Sequence, residues 1–248
     1  VIPAYQPDNK LIKLIEKIHE KSDFRILVID DGSSSKCQNI FDKAEQYATV
    51  LRHQVNQGKG QALKTAFAYI QQQNSYGTVV TADADGQHKI WDIFRTANKA
   101  SENPNKLILG VRAFTGKVPL RSRFGNSLTK ALFKIQTGVE VADTQTGLRA
   151  FTTNLIPFML KIEGNRYEYE MNMLLEATKE YQILEVPIET VYINDNEGSH
   201  FRPIKDGLMI YKNIFKFALS SLSSFIVDYL VYAIAILFLP TAPTSFRI

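Results

Sequence analysis

From its first residue the chain alternates short apolar runs with stretches of helical periodicity. Val1-Ile2 reads as the tail of a strand. Asn9 to Lys21 places Leu11, Leu14, Ile15 and Ile18 on one helical face. Phe24 to Ile29 has the character of a buried strand and runs into the turn cluster Asp30-Asp31-Gly32-Ser33. Cys37 to Tyr47 predicts a helix, Val50-Leu51 a short strand, and Gly58 to Gln73 a helix opened by a glycine-rich turn. Thr78 to Ala82 is a strand that stops at Asp83, and Leu107 to Val111 one that ends at Arg112. Leu120 to Gln136 is helical and basic, and Glu168 to Lys179 is helical again. Ile183 to Tyr192 is extended with a bend at Pro187, and Asp195 to Arg202 is polar and loop-like.

Strands that alternate with helices predict an α/β fold with a mostly parallel sheet flanked by helices. Ligands in such folds bind at the carboxyl ends of the strands, which is where the polar clusters of this chain fall.

The pattern changes near the end. Lys205 to Lys216 is amphipathic, with lysines among apolar and aromatic residues, and Phe217 to Leu239 is almost wholly apolar with Asp228 its one charge. A run of that length predicts a membrane-spanning helix. Arg202, Lys205, Lys212 and Lys216 precede it, which places the preceding domain on the cytoplasmic side. Asp228 is costly in lipid and is expected to face a further helix. The chain opens on Val1, inside a strand-like run, and closes soon after the apolar stretch, so a piece of a longer protein is expected. The division that follows is a catalytic domain over 1–204, a juxtamembrane segment over 205–216 and a spanning helix over 217–239.

Composition narrows the partners. The chain has 248 residues, 45% of them apolar and 22% charged, a globular balance with a net charge of +4. The charges are scattered and form no arginine-rich stripe, which argues against nucleic acid and leaves a membrane surface or an anionic small molecule. One cysteine, Cys37, excludes an intrachain disulfide, and no neighbouring His or Cys points to zinc.

The chemistry-bearing residues sit at strand ends. Asp83 and Asp85 are two carboxylates two residues apart after a strand, a spacing that lets them share a hard divalent cation such as Mg²⁺ or Mn²⁺ and, through it, a diphosphate. Such a cation neutralises charge on a departing nucleoside diphosphate. Asp30 and Asp31 end the preceding clear strand, where a carboxylate accepts from a base or ribose, or caps the next helix. Asn56 to Gly60 precedes a helix, whose N-terminus with Lys59 favours an anion; the Walker spacing is absent. Asp143 to Arg149 mixes a carboxylate, an amide and a guanidinium, a set able to deprotonate an acceptor hydroxyl or to orient an acceptor phosphate.

Pro3-Ala4-Tyr5, VIDDGSS at 28–34, NQGKGQAL at 56–63, DADGQH at 83–88, Gly110-Val111-Arg112 and DTQTGLR at 143–149 occur in the order seen in inverting GT-A glycosyltransferases of the family 2 type. The chain most resembles the polyprenyl-phosphate sugar transferases, the dolichyl-phosphate mannosyltransferase type. That resemblance implies a GT-A, Rossmann-like domain, a UDP- or GDP-linked sugar donor, a divalent metal and a polyprenyl phosphate acceptor at a membrane. It assigns Pro3, Tyr5 and Asp31 to the nucleoside. Asp83, Ala84, Asp85 and Gln87 go to metal and diphosphate, and Lys59 and Arg112 to the donor phosphates. Arg121, Gln145, Arg149 and Arg202 go to the acceptor side. Where relatives read Pro-Ala-Tyr-Asn-Glu, this chain has Pro7 at the Glu position, and Asp8 after it is the substitute at the ribose. The apolar C-terminal stretch resembles the start of a GtrA-like membrane domain.

The reaction implied is a single in-line displacement at the anomeric carbon. A lipid phosphate needs no strong base; for a hydroxyl acceptor on a cell-wall polysaccharide or teichoic acid, Asp143 is the candidate base. A nucleotide-sugar-binding subunit without turnover is the non-enzyme alternative.

Overall fold

The structure is a computed structural model that describes residues 1–74, 77–112, 129–131, 133–189 and 205–238; in the last helix the described side chains are those of 219, 220 and 222–236. Arg121 and Arg202 lie outside the described residues. The chain divides into Val1–Phe201 and Arg202–Ile248.

In the first unit β1 (Ile2–Ala4) leads to α1 (Asn9–Lys21), β2 (Leu27–Asp30), α2 (Gln38–Ala44), β3 (Thr49–Arg52) and α3 (Lys59–Gln72). β4 (Thr78–Thr81), α4 (Ile90–Glu102), β5 (Lys106–Arg112) and β6 (Arg149–Thr152) follow. α5 (Ile156–Lys161), α6 (Glu168–Glu180) and β7 (Gln182–Ile188) complete it. α1 forms where the pattern places it: Leu11, Leu14, Ile15 and Ile18 are buried, and Asp8 caps its first turn by accepting from the Lys10 N–H at 2.8 Å.

β1, β2 and β3 pair in parallel. β4, β6, β5 and β7 form a second ladder in that order. The Val1 nitrogen donates to Val80 O at 2.7 Å, and the Ala82 N–H donates to Val1 O at 3.0 Å. β1 therefore lies beside β4, and the strands run β3-β2-β1-β4-β6-β5-β7. β6 is antiparallel to both β4 and β5, while β5 and β7 are parallel. This reversal matters for the site. Arg149, the first residue of β6, pairs with Thr81 at the end of β4 and with Leu109 in the middle of β5. The DTQTG segment before it is thereby delivered to the same sheet edge as Asp83 and Asp85.

The core fills both faces. Ile2, Leu11, Ile15, Val28, Phe41 and Leu148 belong to one buried cluster. Leu27, Ile29, Ala62 and Ala66 form another, between β2 and α3. Pro187 does not break the extended segment: it pairs in register with Val111, on a strand at the end of the sheet order, where a missing N–H is tolerated. Of the basic helix expected over 120–136, residues 129–131 and 133–137 are described and helical.

The second unit contains α7 (Lys205–Phe238), one continuous helix where a juxtamembrane segment and a separate span were expected. Among the described residues no helix is long and apolar enough to cross a membrane. The expected span over 217–239 is therefore not shown. The side chains described, those of 219, 220 and 222–236, form a run shorter than the roughly 20 residues a crossing takes. Its large apolar side chains, Leu219, Phe225, Tyr229, Val231 and Ile236 among them, are 48–70% exposed.

Candidate active site

The acidic loop after β4 is the centre of the carboxyl edge. Asp83 Oδ1 lies 2.7 Å from the Lys59 ammonium, which also meets Glu170 Oε2 at 2.8 Å. His88 Nε2 is 3.7 Å from Asp83 Oδ2, buried, and has no hydrogen-bond partner. Asp85 Oδ1 accepts from the Gln87 N–H at 2.9 Å, closing the turn. Burial opposes charge on Asp83, but the Lys59 ammonium and His88 outweigh it and hold its carboxyl well below the usual range. Burial and the neighbouring Asp83 charge push Asp85 up. Burial likewise opposes charge on Lys59, and the carboxylates of Asp83 and Glu170 reverse that and raise it.

Gly147 presses on Asp83 from the other side. A Cβ there would stand 2.2 Å from Asp83 Oδ2 and 2.7 Å from its Cγ. The three atoms nearest that Cβ all belong to the Asp83 carboxyl group, which must move to admit it. Gly147→Ala is therefore expected to keep its melting temperature within a few degrees and to lose about a hundredfold in turnover, since displacing a catalytic group by about 1 Å costs on that order. Thermal melting and donor turnover, measured on the same preparation, check it.

The DDGS and NQGKG loops are built on each other. Asp31 is buried; its Oδ1 accepts from the Gln57 N–H (2.9 Å) and pairs with His53 Nδ1 (2.8 Å), and its Oδ2 accepts from the Gly58 N–H (2.8 Å). His53 Nε2 in turn lies 2.9 Å from the Thr65 hydroxyl. Asp31 thus positions the loop that carries Lys59. Asp30 Oδ1 accepts from the Ser33 N–H at 2.8 Å. Gly58, with φ of +104°, leaves no room for a side chain: its Cβ would meet Asn165 O at 2.4 Å. The close approach read from these glycines is made by the protein's own 165–166 segment, where the Gln61 N–H donates to Asn165 O at 2.9 Å.

The remaining sequence candidates divide by exposure. Tyr5, beyond the end of β1, is 39% exposed, whereas Pro3 is buried in β1 opposite Ile29. Asp8 is exposed and serves as the α1 cap described above. Ala84 packs on the core, and Gln145 is exposed. Arg112 and Asp143 meet in a two-point ion pair, Nε–Oδ2 2.5 Å and Nη2–Oδ1 3.0 Å, with Asp143 fully buried. Arg149 is 1% exposed; it donates from Nε to Thr146 O (3.0 Å) and from Nη1 to Glu170 O (2.6 Å). It lies against α6 at the start of β6.

Glu170 was not singled out from the sequence. Its signal was a carboxylate on the apolar face of a helix, one turn from the buried Met173 and Leu174 and two turns from Ala177.

Among solved structures, glucosyl-3-phosphoglycerate synthase from Mycobacterium tuberculosis, in complex with Mn²⁺, UDP and glucosyl-3-phosphoglycerate, matches with a TM-score of 0.65 at 18% identity. The match covers 88% of this chain and 77% of that one. That likeness, with the sheet order, defines a glycosyltransferase fold of the GT-A type. The chain belongs to glycosyl transferase family 2, whose profile matches residues 1–159. It is 26% identical over 213 residues to the UDP-N-acetylglucosamine–dolichyl-phosphate N-acetylglucosaminyltransferase of Methanococcus voltae, covering 77% of this chain and 84% of the relative. It is also 26% identical over 251 residues to the dolichyl-phosphate beta-glucosyltransferase of Saccharomyces cerevisiae, covering 86% and 72%.

Proposed function

We propose that this glycosyltransferase moves a sugar from a nucleotide-sugar to a polyprenyl phosphate at the cytoplasmic face of a membrane, with inversion and with Mg²⁺ or Mn²⁺ at Asp83 and Asp85. The observation that carries the reading is the acidic loop after β4, with Asp83 held ionised at the strand edge where β1, β4 and the DTQTG segment converge. The names of the curated relatives, which act on dolichyl phosphate, support the acceptor class.

The residues fit a divalent cation. Two carboxylates stand together, and the buried His88 Nε2 has no partner. Among the described residues no group of three or more His, Cys, Asp or Glu side chains is placed to hold a metal ion. The remaining ligands are then diphosphate oxygens and water, the usual habit of Mg²⁺. When bound, the cation supplies charge neutralisation for the leaving diphosphate.

The chain's own residues do the rest. Asp83 and Asp85 orient the diphosphate end of the donor, and Tyr5 offers an exposed face at the nucleoside end. An acceptor phosphate oxygen forms the new bond to the anomeric carbon as the bond to the diphosphate oxygen breaks. The phosphate is already anionic, so positioning and charge stabilisation provide most of the rate enhancement. The exposed apolar side chains along α7 suit lipid, where the acceptor of this reading resides.

Purified full chain is to be incubated with radiolabelled UDP- and GDP-sugars, Mn²⁺ and polyprenyl phosphate, and the product partitioned into organic solvent. Label entering the organic phase with one donor is the expected result. Turnover of donor only onto a water-soluble saccharide would overturn the acceptor assignment.

A further inference from the structure

Lys59 is placed differently from an ordinary phosphate-binding lysine. Its ammonium does not reach into open space; it lies between two carboxylates, 2.7 Å from Asp83 Oδ1 and 2.8 Å from Glu170 Oε2. The other oxygen of Asp83 is hemmed in by the Gly147 backbone and by His88. A divalent cation about 2.0–2.5 Å from a carboxylate oxygen needs the space and the charge that Lys59 now takes. The Asp83 side chain is 32% exposed, so an ammonium and a divalent ion sharing it repel across a partly wet site.

We propose that Lys59 is a built-in counter-ion that holds Asp83 until a nucleoside diphosphate arrives, so that tight divalent-cation binding depends on the donor. The proposal rests on the reading of Asp83 and Asp85 as the metal site. The diphosphate brings the negative charge that draws the ammonium away from Asp83. Glu170 makes the exchange possible: it keeps a carboxylate on Lys59 throughout, so the ammonium swings between anionic partners rather than becoming unpaired. Glu170 is itself held, since its backbone carbonyl accepts from the buried Arg149. Lys59 opens α3, so its ammonium starts from the positive end of a helix, where an anion is favoured. The four-carbon stem of lysine permits such a swing, which a planar guanidinium would resist.

Mn²⁺ binding, read by the loss of the free-ion electron paramagnetic resonance signal, tests this without turnover. Wild-type chain is titrated alone and with UDP or GDP, after correction for Mn²⁺ held by free nucleotide. Lys59→Met and Lys59→Met/Glu170→Gln are titrated the same way, each checked for a cooperative thermal melt. In the double variant Glu170 is neutral as well, so of the two partners of the ammonium only Asp83 remains a carboxylate. For wild type, at least tenfold tighter Mn²⁺ binding in the presence of the diphosphate is expected. Both variants are expected to bind Mn²⁺ alone at least tenfold tighter than wild type and to gain correspondingly less from nucleotide. Variants that bind Mn²⁺ no tighter than wild type overturn the proposal. Tightening confined to the single variant also overturns it, because Glu170 rather than Asp83 would then have captured the ion. Wild-type chain with equal Mn²⁺ affinity in both conditions overturns it without recourse to any variant. Absence of Mn²⁺ binding in every condition, nucleotide included, would instead remove the metal reading on which it rests.

Discussion

Asp85→Ala is expected to fold as wild type does and to lose at least about a thousandfold in turnover, the order seen when a principal charge-stabilising group is removed from an active site. The carboxylate makes one described contact, to the Gln87 N–H within its own turn, so little of the fold depends on it. Burial and the charge of Asp83 already disfavour its ionised form. Replacing it relieves that repulsion, and stability should change by no more than about 1 kcal/mol, as for substitutions away from structural networks. On the proposed reading, what is lost is the second anionic ligand beside Asp83. Chelation of wild-type protein should reproduce the loss, and Mn²⁺ should reverse it in wild type and fail to do so in the variant. Turnover of Asp85→Ala within tenfold of wild type, with a normal melt, would remove Asp85 from the chemistry.

The sequence shows the parts of this site more clearly than their pairing. Continuous apolar runs such as Leu107 to Val111 and the periodic face of α1 mark strands and helices that the structure contains. α4 is not among the elements expected from the sequence, although Ile90, Ile93, Ala97 and Ala100 recur at helical spacing directly after the acidic motif. β6 and α5 are too short, at four and six residues, for periodicity to declare them. The motifs are all visible, and several of their charged members are also paired with one another. Asp31 organises Gln57, Gly58 and His53; Arg112 closes on Asp143; Arg149 runs beneath Glu170. These partners lie 21 to 31 residues apart along the chain, and only the strand order brings them together. A local pattern can propose that a carboxylate at a strand end is functional; it cannot show which cation has already claimed it.

That distinction decides what Asp143 does. Its carboxylate is fully buried, receives two charged hydrogen bonds from Arg112 and accepts the Gln145 N–H at 3.1 Å. A base must be able to reach a substrate proton, and here both oxygens are engaged by Arg112 at the end of β5. Asp143→Ala leaves Arg112 partly buried beside a void, and breaking a buried ion pair from one side costs about 3–5 kcal/mol. For a unit of this size that lowers the melting temperature by roughly 6–20 °C. Replacing both partners, as Arg112→Met/Asp143→Leu, should recover much of the loss, because two apolar side chains do not leave a charge without its counterpart. Turnover separates the roles. Asp143→Asn preserves shape and an acceptor oxygen while abolishing basicity. With a lipid phosphate as acceptor it should lose less than about tenfold in turnover, since no proton has to be removed, and show its effect in the melt instead. The opposite result, an unchanged melt with turnover reduced about a thousandfold or more, would mean that Arg112 releases Asp143 in the working complex and that the acceptor is a hydroxyl.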